Sequence, residues 1–190
     1  MENITFGFAM CGSFCTFSKV IVQMKNIVDA GYQVLPIMSQ TAYSTDTRFG
    51  TASSFIEQVE TICGRKIIKN IVEAEPIGPK KMVDLMIVAP CTGNTLAKLA
   101  NGITDTSVTM AVKSTLRIER PVLLAAATND ALSGSAQNIG RLLNSKNVYF
   151  VPMQQDDPVK KPFSVNADFT KILPAALTAL EGKQLQPIYF

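Results

Sequence analysis

An α/β protein commonly presents backbone amides to an anion through small polar residues that follow a strand and open a helix. This chain has such a stretch at Asp84-Leu-Met-Ile-Val-Ala-Pro-Cys-Thr-Gly-Asn-Thr-Leu-Ala-Lys-Leu-Ala100. The apolar run ends at Pro90; Cys91, Thr92, Gly93, Asn94 and Thr95 follow, and helical spacing then begins. Gly93 permits close backbone approach, while Thr92, Asn94 and Thr95 can hydrogen-bond a phosphate or carboxylate. Gly12-Ser13 makes a similar turn after the apolar run 4–10. It is neither Gly-x-Gly-x-x-Gly nor a Walker A loop with its lysine, so it reads equally as a tight strand–helix turn. Arg48 lies in the polar loop Ser44-Thr-Asp-Thr-Arg-Phe-Gly50. There it either grips a carboxylate through two charge-assisted hydrogen bonds, each worth about 1.5–3 kcal/mol, or pairs with Asp46. Thr128-Asn129-Asp130 follows a further apolar run, 121–127.

What the chain lacks narrows the chemistry. It has no histidine, which removes Ser-His-Asp hydrolysis, Cys-His proteolysis and imidazole acid–base catalysis from its own repertoire. Cysteines 11, 15, 63 and 91 form no Cys-x-x-Cys pair, so no zinc site is expected and they read as buried or loop thiols. Cys91 is the exception to watch, because a helix amino terminus can lower a thiol pKa. Asp156-Asp157, flanked by Pro158 and Lys160-Lys161, reads as local charge pairing or a partner contact rather than an acid–base dyad. A net charge of +3 is too mild to argue for nucleic acid, though it can help collect a small anion. No apolar run approaches the roughly 20 residues of a membrane span. The start, with Glu2, does not read as a signal peptide, so a cytoplasmic location is expected.

Strands are predicted over residues 4–10, 33–38, 85–89, 121–127 and 148–151. Pro36 in the second suggests an irregular edge. Helices are predicted from Phe17 to Gly31, from a cap at Ser53 or Ser54, over 95–100, over 107–116 from a cap at Asp105 or Thr106, and near 136–144. Residues 39–50 and 152–165 read as loops, and 66–81 as a strand edge or a helical turn. A last helix over 168–181 contains Pro174 and therefore kinks or starts late. The alternation implies a three-layer, doubly wound, mostly parallel α/β sheet. It forms a single domain over 1–190, with a carboxy-terminal helix and tail over 165–190. Parallel strands end on one side, so the loops after residues 10, 38, 89 and 127 share an edge and point to one site there.

Pro90-Cys-Thr-Gly-Asn-Thr95, continued by Leu-Ala-Lys-Leu-Ala-Asn-Gly-Ile, resembles the Pro-Ala-Ser-Ala-Asn-Thr motif of the cysteine decarboxylase-type flavoproteins. Gly12-Ser13 matches that family's phosphate loop. Ser39, Thr41 and Ala42 fall where its second-strand loop touches flavin, and Ala126-Ala-Thr-Asn129 stands in for Pro-Ala-Met-Asn. The chain departs from the pattern at Cys91-Thr92-Gly93, before Asn129, and in lacking the decarboxylases' histidine.

Within that family it resembles the dipicolinate synthase B-subunit branch. Thr47-Arg-Phe-Gly50, Ala74-Glu-Pro-Ile-Gly-Pro-Lys80, Ala89 to Thr95, Thr128-Asn-Asp-Ala-Leu132, Gln155-Asp-Asp-Pro158 with Lys160-Lys-Pro162, and Gln184-Leu-Gln-Pro187 carry that resemblance. It implies a protein that works with the larger A subunit of dipicolinate synthase to oxidise dihydrodipicolinate to dipicolinate. NADP would be the hydride acceptor, held by either subunit, in the mother cell during spore formation. It also implies a homo-oligomer. Arg48, Asn94 and Asn129 are then the expected contacts for a small dicarboxylate. Gly12, Ser13, Ser39, Thr41, Pro90, Cys91, Thr92, Gly93, Asn94, Thr95, Thr128 and Asn129 are the expected cofactor contacts. The alternatives are an FMN-binding flavoprotein of decarboxylase or prenyl-transferase type, and a non-catalytic assembly subunit.

Overall fold

Phe6, Phe8 and Met10 alternate with Gly7 and Ala9, and this period of two decides what each side of β1 (Thr5–Met10) packs against. The bulky side faces a core roofed by α1 (Phe17–Asp29), α3 (Ala52–Cys63) and α8 (Ile172–Leu180). The other side faces a second core beneath α5 (Gly93–Ala100), α6 (Ser107–Arg117) and α7 (Ala136–Leu143), with the short α4 (Ile71–Ala74) alongside. The computed structural model describes residues 4–190, so Glu2 and the amino-terminal reading lie outside it.

β1, β2 (Gln33–Met38), β3 (Leu85–Cys91), β4 (Val122–Thr128) and β5 (Val148–Phe150) run parallel in the spatial order β2-β1-β3-β4-β5. β3 is buried along its whole length, as a central strand covered on both faces must be. The fold is the expected three-layer, doubly wound α/β sheet. After β1 the chain goes to β2 on one side, and it later crosses to β3 on the other. The connection between β1 and β2 (α1) lies on one face, whereas α5 and α6, between β3 and β4, lie on the opposite face. That divergence opens a crevice at the carboxyl ends of β1 and β3.

Pro36 does sit on an edge. Its carbonyl turns outward and accepts from Ile68 N at 2.9 Å, so its missing donor falls on the outer side and no bond to β1 is lost. Residues 66–81 combine both readings: Ile68 bridges β2 at Ile37, and α4 follows.

Three local expectations, the loops over 152–165 and 39–50 and the cap of α3, are corrected, and two alternatives are decided. Residues 152–165 are mostly a hairpin, β6 (Met153–Asp157) and β7 (Lys161–Ala167), antiparallel to the end of β4. Gln154, Gln155 and Asp156 are exposed, so backbone pairing rather than an apolar pattern makes this strand. The carboxy-terminal segment therefore begins in β7, and α8 starts late, after a 3-10 turn, with Pro174 in its first turn. A short helix, α2 (Gln40–Ser44), occupies the supposed loop, with Ser39 Oγ accepting from Ala42 N at 3.2 Å. Thr51 rather than Ser53 or Ser54 caps α3, because its hydroxyl accepts from Ser54 N. Thr106 rather than Asp105 caps α6, exchanging 3.1 Å bonds with Thr109 while Asp105 pairs with Lys98.

Ser107, buried at the start of α6, donates to Met38 O at 2.5 Å and holds the end of β2 in place. Replacing it with alanine leaves that carbonyl without its partner. Urea unfolding of Ser107→Ala is expected to show a loss of about 1–3 kcal/mol with an unchanged slope; a loss under about 0.5 kcal/mol would deny the tie any role.

Candidate functional site

Short bonds lace the turns at the carboxyl edge. Cys11 N donates to Pro90 O at 3.3 Å, joining the ends of β1 and β3, and Ser39 N donates to Met10 O at 3.0 Å, joining β2 to β1. Thr95 Oγ1 donates to Cys11 Sγ at 3.2 Å and accepts from Thr92 Oγ1 at 3.1 Å. A Cβ built on Gly12 would lie 3.4 Å from Thr41 Cγ2, so these two residues are neighbours. On the far side, a Cβ on Gly93 would fall 2.6 Å from Thr128 Oγ1, which brings the β4 turn against α5. The four turns named from the sequence thus meet at one rim.

Their side chains are placed differently. Asn94 is exposed with no partner among the described residues, and Asn129 Oδ1 faces the buried Ser164 hydroxyl at 3.4 Å, leaving its amide NH2 free. Ser13, Ser39 and Thr92 are half-buried, and Thr41 is exposed. Thr92 accepts from Thr95 N, which leaves the first two amides of α5, Gly93 and Asn94, pointing out of the helix. Thr95, Pro90 and Cys91 form the floor: Thr95 is engaged with Cys11, and Pro90 and Cys91 are buried.

Arg48 is not laced into this group. It sits on the exposed turn closed by Thr47 and Gly50, its guanidinium 4.9 Å from the centre of the Phe49 ring. The Asp46 pairing does not form, because Asp46 instead accepts from Ala52 N at 2.8 Å at the start of α3. Among the described residues Arg48 has no polar partner, so its charge is free for a ligand.

The reading of Cys91 as an activated thiol is corrected. Cys91 is fully buried, and desolvation pushes its pKa well above the ordinary value, with the neighbouring Cys11 adding to the rise. Burial likewise raises Cys11 to about 11, against the lowering effect of the Thr95 hydroxyl. A helix amino terminus lowers a thiol pKa only where the thiol can reach it and the thiolate remains solvated.

Two residues, Asp130 and Ser164, went unassigned in the sequence. Asp130 Oδ1 accepts from Thr128 Oγ1 at 2.5 Å and from Ser135 Oγ at 2.9 Å; these hydroxyls, Thr128 first, hold its carboxyl below the usual range. Ser164 was hidden inside the supposed loop. Lys161 makes the local charge pair expected there, with Asp156 at 2.7 Å, which raises its pKa, with a lesser contribution from Cys15 beside the β1 turn. Hollows of about 610 Å³ between α1 and the hairpin, and about 470 Å³ among Leu99, Leu116, Leu124 and Leu142, are lined by none of Gly12, Ser13, Asn94 or Asn129.

With this geometry in place, the family comparison is decisive. The flavoprotein family model matches residues 1–172. The chain belongs to the flavoprotein family. It is 44% identical over 182 residues to the dipicolinate synthase B subunit of Bacillus subtilis (strain 168), covering 96% of this chain and 91% of that protein. The crystal structure of the dipicolinate synthase B subunit from Bacillus halodurans C superposes with a TM-score of 0.91 at 41% identity, covering 100% of this chain and 98% of the other. The resemblance drawn from separated segments is borne out. Burkholderia xenovorans DmrB in complex with FMN shares the fold, with a TM-score of 0.65 at 18% identity over 79% of this chain and 88% of that one.

The residues fit a phosphate-bearing group at one corner only. Gly12 has no positive φ, and an added Cβ would make only ordinary contacts, so the chain's own packing does not require glycine there and the turn is open to close approach. The bare side of Gly93, by contrast, is filled by Thr128, Asp130 and Ser135.

Burial gives a testable thiol order, because only the thiolate reacts. At pH 8, iodoacetamide is expected to label exposed Cys15 in the folded chain. Cys11, Cys91 and Cys63, the last raised to about 12 by burial, are expected to be labelled only after denaturation. Native labelling of Cys91, read by peptide mass, would contradict this assignment.

Proposed function

We propose that the chain is the B subunit of a dipicolinate synthase. With the A subunit it would oxidise dihydrodipicolinate to dipicolinate, the ring giving up a hydride to NADP and a proton as it becomes an aromatic pyridine. The observation that carries this reading is the four-turn rim in a chain 44% identical, nearly end to end, to a dipicolinate synthase B subunit. The rim supplies what a small ring diacid needs: an open turn at Gly12-Ser13 for one carboxylate, and hydrogen-bonding side chains on Asn94 and Asn129 for the ring. Arg48, whose charge no described side chain neutralises, is the proposed carboxylate anchor.

Gly12, Ser13, Ser39 and Thr41 are the residues proposed to hold the phosphate end of NADP, if this chain rather than its partner carries the nucleotide. The same turn would hold the phosphate of FMN, which makes a flavin-binding protein the second reading; the FMN complex of a chain with the same fold favours it. Bound FMN would supply redox chemistry of its own. Decarboxylation is not proposed, since this chain offers no histidine. Among the described residues no helix is long and apolar enough to cross a membrane, and we place the working complex, with this chain as a homo-oligomer, in the cytoplasm of a spore-forming mother cell.

The test uses the assembled two-subunit enzyme. Arg48→Ala is expected to raise KM for dihydrodipicolinate at least tenfold, the loss of a charge-assisted bond of about 1.5–3 kcal/mol. Ser13→Ala is expected to raise KM as much for NADP if this chain carries the nucleotide, or for dihydrodipicolinate if the partner does. Unchanged KM and turnover in Arg48→Ala would remove it as the anchor, and full activity in both variants would favour a purely assembling role. Purified chain that is yellow and releases flavin on denaturation would support the second reading.

A further inference from the structure

Gly93, the first residue of α5, has no side chain, yet the space beside it is not an opening for a ligand. A Cβ there would lie 2.6 Å from Thr128 Oγ1 and 3.0 Å from both Asp130 Oδ1 and Ser135 Oγ. Three oxygens converge on this point, and one belongs to an exposed carboxylate held by two hydroxyls. Asp130 Oδ1 holds both hydroxyls, and the Asp130 carbonyl accepts from Ser133 N and Ser135 N, each at 3.0 Å. Ser135 is 3% exposed and gives its hydroxyl to Asp130 rather than to the cap of α7. Among the described residues Asp130 Oδ2 keeps no hydrogen-bond partner and no cation pairs with this carboxylate, whereas the exposed aspartates 29, 105 and 156 each pair with a lysine.

The opposite corner of the rim has the reverse character. The three heavy atoms nearest a Cβ on Gly12 would be carbons of Thr41 and Phe14, and among the described residues no carboxylate is hydrogen-bonded to Ser13 or Thr41. We infer that Asp130 is a specificity-determining residue of the site: it fixes a negative charge at the corner between β4 and α5, so that a phosphate or carboxylate seats at Gly12-Ser13 and a neutral or hydrogen-bond-donating part of the ligand faces Asn94 and Asn129. This rests on the rim being the ligand site. The hydroxyls that bind Asp130 also keep it ionised, so it acts as a standing charge rather than a proton carrier. A ring diacid then enters in one orientation, with its second carboxylate turned away from α5. A ligand with a phosphate at each end is rejected.

Asp130→Asn tests the charge apart from the shape, because the asparagine Oδ1 can accept the same two hydroxyls. The probe is inorganic phosphate, titrated into the full chain and followed by amide chemical shifts and calorimetry. In the unsubstituted protein, phosphate is expected to shift Gly12 and Ser13 and to leave Gly93 and Asn94 in place. In Asp130→Asn, Gly93 and Asn94 are expected to respond too, with phosphate binding there at least tenfold tighter. Equal affinities within twofold at that corner, or phosphate already bound there in the unsubstituted protein, would overturn the assignment. Asp130→Ser gives the same readout if the first variant does not fold. A chain that folds with neither substitution would show a structural tie and would also overturn it. No response at Gly12-Ser13 in either protein counts against the rim as ligand site, and the Gly93 and Asn94 signals report on Asp130 separately.

Discussion

The bonds from Cys11 N to Pro90 O and from Ser39 N to Met10 O hold the rest of the structure's logic together. A parallel sheet guarantees that strand ends fall on one side, but it does not guarantee that the turns beyond them touch. These two bonds continue the sheet's pairing one residue past the strands, so the turns after β1, β2 and β3 become one surface. The sheet order then does the rest: helices leave β1 and β3 toward opposite faces, and the space between them stays open. A site built this way is positioned by the core, through residues such as Ser107 that fasten a strand end to a helix.

The floor and the lip of that surface follow different physics. Cys11, Cys91 and Thr95 are buried, and burial there removes charge: the thiols stay protonated and the threonine hydroxyl turns inward. Outside the floor charges persist because they are exposed or hydrogen-bonded, as with Arg48 and with Asp130 and its two hydroxyls. With no histidine in the chain, the lip is suited to binding and orienting an anionic ring. On the proposed reading, accepting the hydride falls to the nicotinamide cofactor.

How legible this was depended on how each feature is encoded. The parallel sheet was visible because β1, β3 and β4 are apolar runs bounded by turn residues, and buried strands advertise themselves in that way. The β6–β7 hairpin was not, since Gln154, Gln155 and Asp156 face solvent and its pairing is made by backbone atoms that leave no mark in residue type. The rim was legible as a set of small polar residues at strand ends. Its wiring was not: that Asp46 would bond Ala52 instead of Arg48, or that Asp130 would reach back to Thr128 and forward to Ser135, depends on side-chain directions fixed only by the fold. Cys91 shows the same limit, because its position in a helix-opening loop suggested reactivity while the pleat of β3 turned it into the core.

The central claim is that the open turn at Gly12 admits a ligand's anionic group. Gly12→Ala tests it most directly, because the added methyl carbon meets only Thr41 Cγ2 at 3.4 Å and the edge of Phe14 at 3.5 Å within the protein. Calorimetric titration of the chain with dipicolinate, NADP and FMN in turn, alongside thermal unfolding, gives the comparison. The account predicts a melting temperature within about 2 °C of the unsubstituted chain, a stability change of no more than roughly 0.5 kcal/mol, together with loss of whichever of the three ligands the unsubstituted chain binds. Binding that survives the substitution unchanged, in a protein that is equally stable, would contradict it.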